Sequence, residues 1–325
     1  GSAGTSVDAG GAGGAGGTAT VTFDGETVQT ISSIITAAAD GEGTIIITGD
    51  EGSADLKTFS GAIGTNAIRI GTITSGVSAA LSNSKFTAAV YADTITHGVD
   101  SDWVDAAITM DFDDNVGFTT MTVTGGNDSA TEVATITAAK NLTGTTIALV
   151  DGTAGGSAAL TLDGSVAQVI SADITTADND TNALTISNIH ASGAKFTGNI
   201  GASNKELKTI TITNDDDGAG TTFADFNGNV YATTIAITAA GAVDAASATF
   251  AGTTAFTTLT LDKDVTEATV TFDGSSAQTV SGNIEGAADT EGLIIVNNDV
   301  NFTGEIGTGT TDGVGNVRIA SGKTL

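Results

Sequence analysis

Short runs of alternating polar and apolar residues fill most of the chain after residue 18. Examples are "TIIIT" at 44–48, "AIRIGTIT" at 67–74, "KTITITN" at 208–214 and "FTTLTLD" at 256–262. This period of two is typical of a β-strand with one buried face, and the β-branched residues fit a pleated sheet. Clusters of Asp, Asn and Gly separate the runs and predict turns. No segment has a sustained helical period, so we predict an all-β fold.

One sixteen-residue phrase occurs three times. It reads "TVTFDGETVQTISSII" at 20–35, "ALTLDGSVAQVISADI" at 159–174 and "TVTFDGSSAQTVSGNI" at 269–284. We interpret its Asp-Gly pair as a turn in which Gly adopts a positive φ angle. A glutamine recurs five residues after each Asp, and we expect its amide to form a ladder or to bind buried turn carbonyls.

A second phrase, Phe-x-Gly-x-Ile-Gly, begins at Phe59, Phe196 and Phe302. Its Phe, Gly and Ile share one strand face, and the Gly leaves room for a stacked neighbour. The distance from the first phrase to the second differs among the three copies, and constant phrases with variable spacers suit stacked coils. We predict a parallel β-solenoid (β-helix) of imperfect coils, each roughly 20 to 30 residues long. Tandem β-sandwich domains are the alternative.

The first eighteen residues are mostly Gly, Ala and Ser. Such a segment has little apolar surface to bury, so we predict a flexible arm at 1–18. The repeated patterns run from residue 19 onward, and we predict one continuous repeat solenoid over 19–325.

The formal charge of −28 excludes several partners. It repels a nucleic-acid backbone or an anionic membrane surface. It is best tolerated in salty water or with bound divalent cations, which favours a saline exterior. Cysteine is absent, and no apolar stretch approaches the roughly 20 residues of a membrane span, so we expect no thiolate chemistry and no membrane-spanning segment.

We expect no enzymatic activity. The only histidines, His97 and His190, stand in unrelated contexts, and the ten basic residues are scattered along the chain. A solenoid that degrades acidic polysaccharides needs carboxylates clustered with a basic group. No such cluster is visible in the sequence. Among 38 acidic residues, a pair of carboxylates at the separation that glycoside hydrolysis requires is the remaining alternative.

Two acidic turns predict structural calcium. "DFDDN" and "DNDTN" both place oxygen ligands on alternate residues, a pattern that suits Ca²⁺. The candidate ligands are Asp111, Asp113, Asn115, Asp178, Asp180 and Asn182. Neither turn has the glycine and glutamate of an EF-hand, and a plain acidic turn is the alternative.

The phrases "LTLDGSVAQVISADIT", "VTFDGSSAQTVSGNI" and "FTGNIGASNKELKTITIT" resemble the Gly, Thr and Ala-rich repeats of bacterial extracellular proteins. These include adhesins, autotransporter passengers and surface-layer or filament subunits. The resemblance implies a secreted or cell-surface protein with a structural or adhesive role, and it provides no catalytic residues to transfer to this chain.

The strand-like "VRIASGKTL" at the end of the sequence lacks an evident cap, which favours head-to-tail assembly of copies into a filament, sheath or surface layer. The alternative is an adhesin stalk or viral fibre that binds glycans or a cell surface, with "VDSDWVDAA" around Trp103 as the candidate contact.

Overall fold

The computed structural model describes residues 6–7, 19–24, 27–49, 56–77, 83–99, 107–126, 132–152, 155–214, 220–240, 244–263, 266–307, 309 and 311–325. These residues form strands and turns, with no helix among them. The chain divides into two compact units, residues 1–160 and 161–325. The predicted arm at 1–18 lies outside the described residues except for Ser6–Val7.

Strands of the first unit are mostly short, and β6 and β8 are the longest. They are β1 Ser6–Val7, β2 Thr20–Phe23, β3 Gln29–Ile31, β4 Glu42–Ile47, β5 Leu56–Phe59, β6 Ile70–Val77, β7 Asn83–Phe86, β8 Val90–Val99, β9 Ile108–Phe112, β10 Val116–Gly117, β11 Thr120–Thr124, β12 Val133–Ala138, β13 Leu142–Thr143 and β14 Thr146–Val150. Strand β15, Ser157–Leu162, runs across the boundary between the units.

Strands of the second unit follow the same pattern. They are β16 Gln168–Ile170, β17 Asp173–Thr176, β18 Ala183–Ile186, β19 Ala194–Phe196, β20 Leu207–Asn214, β21 Thr221–Phe226, β22 Val230–Ala239, β23 Ala245–Phe250, β24 Thr254–Lys263, β25 Thr269–Phe272, β26 Gln278–Gly286, β27 Glu291–Val296, β28 Val300–Thr303 and β29 Val314–Ile319.

Parallel pairing stacks the strands of the first unit into two walls. One wall is β2, β4, β6, β8, β11 and β14, and the other contains β3, β5, β7, β9 and β12. Each strand pairs with its counterpart one coil away, so that Thr44 lies in register with Thr72, and Thr72 with Thr94. The first unit is a parallel β-solenoid with coils of the predicted length. The short β1 is the exception, because it pairs antiparallel with β2.

Two parallel walls also form the second unit. They are β18, β20, β22, β24, β26 and β28, and β16, β19, β21, β23, β25, β27 and β29. A β-sandwich requires antiparallel neighbours, so the alternative of tandem sandwich domains is wrong.

Columns of stacked phenylalanine rings run through the core of both units. In the first unit, Phe86 stacks on Phe59 at 4.9 Å and on Phe112 at 5.0 Å between ring centroids. In the second unit, Phe226 stacks on Phe196 at 4.8 Å and on Phe250 at 4.9 Å. Aromatic rings thus fill the centre of regularly stacked layers in both units.

The second phrase forms rungs, as predicted. Phe59 and Ile63 are both buried, and Ile63 bridges in parallel to Ile35 and to Val90 in the neighbouring coils. A Cβ atom on Gly61 would collide with the backbone carbonyl of Ser33 in the preceding coil. Glycine is required here because two coils approach closely.

The structure confirms only part of the prediction for the first phrase, the sixteen-residue repeat. Gly274 does not adopt a positive φ angle. It is confined instead by neighbours, because an added Cβ would lie 2.5 Å from the Ala251 carbonyl oxygen. The expected role of the glutamine is confirmed, since the Nε2 of buried Gln278 donates to the carbonyls of Phe250 and Gly252 at 2.8 and 3.1 Å.

Candidate functional site

The last described coil of the second unit exposes apolar side chains. We call residues 300–325, which contain β28 and β29, the terminal coil. Strand β29 pairs with β27 through one edge, and no other described strand pairs with its second edge. Val317 lies in register with Ile294, and Ile319 with Val296. Ile294 and Val296 are fully buried, whereas Val317 and Ile319 are each 44% exposed. The terminal coil thus presents apolar side chains beside an unpaired strand edge.

Apolar surface is also exposed on the first described coil of the first unit, residues 19–35. Val28 is 67% exposed and Ile34 is 70% exposed. Ala19, Val21 and Ile35 line a cleft of about 290 Å³ in this coil. Both features are of the kind that interfaces cover.

Lysines occupy the centre of the first candidate calcium turn. The Nζ of Lys85 lies 2.6 Å from Asp111 Oδ2 and 2.8 Å from Asp113 Oδ1. Burial opposes the charge of Lys85, but its hydrogen bonds to the two carboxylates raise its pKa. An ammonium group therefore sits between the two carboxylates where a cation would bind.

The same turn contains a second ion pair. The backbone N–H of Asn115 donates to Asp114 Oδ1 at 2.7 Å, and Lys140 Nζ lies 3.0 Å from that oxygen. Partial burial favours the neutral acid, but these two donors outweigh it and lower the pKa of Asp114. Because the Lys85 and Lys140 pairs join neighbouring coils, they are cross-coil contacts of the solenoid surface.

The second candidate turn is built around buried Asn182. Its Nδ2 donates to Thr176 Oγ1 at 2.8 Å and to Thr181 Oγ1 at 3.0 Å. Asp180 has a φ angle of +63°, and its N–H donates to the Glu206 carbonyl. Among the residues that the structure describes, no group of three or more His, Asp or Glu gathers in metal-binding geometry. Calcium at either turn stays a prediction.

The two histidines lie in different surroundings. His97 is fully buried in the first unit, and neither of its ring nitrogens makes a hydrogen bond of good geometry. Burial lowers its pKa to about 4, and the nearby backbone of Ile108 offsets this only in part. His190 belongs to the second unit, where its Nδ1 accepts from the N–H of Ser192 at 3.0 Å. The absence of enzymatic activity stays a prediction.

The sequence predicted an uncapped strand at "VRIASGKTL", which contains Val317 and Ile319, but alternation alone did not show that these two side chains are half exposed in register with the buried Ile294 and Val296. Trp103, the candidate adhesive contact, lies outside the described residues. No helix in the described part of the chain is long and apolar enough to cross a membrane. No protein family, curated protein or solved structure matches the chain significantly.

Proposed function

We propose that this protein is an extracellular structural protein whose copies join head to tail in a filament, sheath or surface layer. The observation that carries the proposal is the terminal coil, where β29 leaves one edge unpaired and the columns ending at Val317 and Ile319 are half exposed. A strand edge of this kind is a template for another strand.

A strand from a second copy, laid parallel on β29, would continue both columns. Covering the exposed 44% of Val317 and of Ile319 would contribute about 1 kcal/mol each. Pairing the free N–H and C=O groups of β29 would add main-chain hydrogen bonds, as in strand addition between proteins. The exposed Val28 and Ile34 of residues 19–35 offer a second apolar surface for such a contact, while the edge of β2 in that coil is already paired with β1. A head-to-tail contact of this type produces an open assembly.

The charge and the repeats support a position outside the cell. A formal charge of −28 makes copies repel one another at low ionic strength, and salt screens that repulsion. The repeats resemble those of bacterial extracellular proteins, which favours a secreted or cell-surface setting.

The test is a charge placed on the unpaired edge. Ile319→Lys should weaken self-association by at least about tenfold, because association would bury an ammonium group. Val169→Lys is the matched control, since Val169 is a similarly exposed strand residue of the same unit. Sedimentation velocity over a range of concentrations, with electron microscopy of the same samples, measures assembly. A wild-type protein that stays monomeric in low and high salt, or equal assembly of Ile319→Lys and wild type, contradicts the proposal.

A further inference from the structure

An unbroken column of threonines crosses one wall of the first unit. Each threonine lies in register with the next, through all five parallel pairings of that wall. The residue that follows each threonine points into the core, as the buried Ile73 and Ile95 do. The threonines therefore face outward. The column consists of Thr20, Thr44, Thr72, Thr94, Thr120 and Thr146.

A second column runs beside the first, two residues further along each strand. It consists of Thr22, Ile46, Thr74, Thr96, Thr122 and Ala148. We call the two columns together the threonine face. None of its twelve residues is charged, on a chain with 38 acidic side chains. An ion pair between Arg69 and Asp93 lies at its border.

The hydroxyl groups of the threonine face have no partner among the residues that the structure describes, since no side-chain hydrogen bond involves them. Thr–Thr hydrogen bonds between neighbouring strands are a common way to stabilise a sheet, and this wall does not use them. Each hydroxyl keeps its donor and acceptor sites for solvent. The methyl groups beside them limit the orientations that this water adopts.

The face repeats in two directions with nearly constant spacing. Successive strands of a parallel sheet lie about 4.8 Å apart. Along each strand, residues two positions apart are separated by about 6.6 Å. The threonine face is therefore a grid that repeats in two directions.

Water in ice has a similar grid. With hydrogen bonds of about 2.75 Å and tetrahedral angles, second-neighbour oxygens lie about 4.5 Å apart and the layers repeat about every 7.3 Å along the hexagonal axis. These spacings agree with those of the threonine face to about one part in ten. Water bound to the hydroxyls of two or three adjacent coils would be held near lattice positions.

We propose that the threonine face binds the surface of ice. An uncharged and periodic surface of hydroxyl and methyl groups fits an uncharged periodic partner. A crystalline polysaccharide fits less well, because stacking on sugar rings uses aromatic side chains and the twelve positions contain none. A charged mineral surface would select charged side chains, which the face also lacks.

The experiment grows ice slowly from a solution of the whole chain and measures the protein in the ice and in the remaining liquid. Thr94→Tyr places a bulky ring at the centre of the face and should reduce the ice-to-liquid ratio by at least about tenfold. Thr135→Tyr is the control, because Thr135 lies outward on β12, in the other wall of the same unit. A urea unfolding curve for each variant checks that it folds.

Wild-type protein that enters ice, with Thr135→Tyr unchanged and Thr94→Tyr excluded, supports the proposal. Exclusion of the wild type from ice overturns it, as does equal entry of the two tyrosine variants. If the wild-type protein sediments with crystalline cellulose or chitin but does not enter ice, the face binds a polysaccharide instead. The Ile319→Lys variant should enter ice like the wild type, so this result is independent of assembly.

Discussion

Replacing one phenylalanine of the core column in the second unit should destabilise that unit strongly. Phe226 is 1% exposed and stacks on a ring at each side, at 4.8 and 4.9 Å. Removing a buried phenylalanine ring costs about 3–5 kcal/mol, and the loss of two stacked pairs places Phe226→Ala in the upper half of that range, at about 4 kcal/mol.

The same strand offers a matched control. Phe223 lies three residues earlier on β21, faces outward and is half-buried. Truncating it removes the same atoms, but only part of the transfer free energy is lost, so we expect about 1 kcal/mol for Phe223→Ala.

Urea unfolding followed by far-ultraviolet circular dichroism measures both variants. The slope of free energy against urea should stay unchanged, while the midpoint falls much further for Phe226→Ala than for Phe223→Ala. If the two variants lose equal free energy, or if Phe226→Ala loses less than about 1.5 kcal/mol, the stacked column is not a main source of stability.

Three further predictions concern pH, glycine and calcium. Burial lowers the pKa of His97 from 6.5 to about 4, so between these pH values the unfolded chain binds a proton that the folded chain does not. The free energy of unfolding should therefore fall by up to about 3 kcal/mol as the pH drops from 6.5 to 4. The fall should be smaller in His97→Leu, and urea midpoints at each pH measure it. Gly228→Ala should destabilise by more than about 1 kcal/mol, because its Cβ would collide with the Gly198 carbonyl. Gly220→Ala should cost less in the same assay, because the nearest atom to its Cβ is the side-chain amide nitrogen of Asn214 at 3.2 Å. Calcium should raise the thermal midpoint of the wild type and not of Asp180→Asn; equal midpoints with calcium and with chelator would remove that turn from consideration.

The sequence was sufficient for the parallel solenoid because strand alternation and repeated phrases are local signals. Ile63 and Gly61 could be assigned to a rung from one phrase, since a buried strand face and a close approach both follow from residue type. The phenylalanine columns also have a signal in the sequence. Phe59, Phe86 and Phe112 recur at nearly equal intervals, and each interval matches the length of one coil.

Contacts between coils could not be read in the same way. The Asp-Gly pair at 273–274 looks like a turn with positive φ, yet the position of Gly274 is decided by the Ala251 carbonyl in another coil. The ammonium of Lys85 between Asp111 and Asp113 also depends on which strands pair. Which residues become neighbours depends on the lengths of the turns between strands (the corners of the coil). These lengths leave little pattern in the sequence.

Coil length and coil register are controlled in different parts of the second unit. Phe196 is in register with Phe226, and Phe250 is in register with Phe272, although the first pair is further apart in sequence than the second. The difference is absorbed at the corners while the column of rings continues. A segment inserted at a corner would change only the exposed surface of the coil. A segment inserted in a strand would shift the register of every later layer. The corners are thus the positions at which such a repeat can diverge, or carry a foreign peptide, without losing its core.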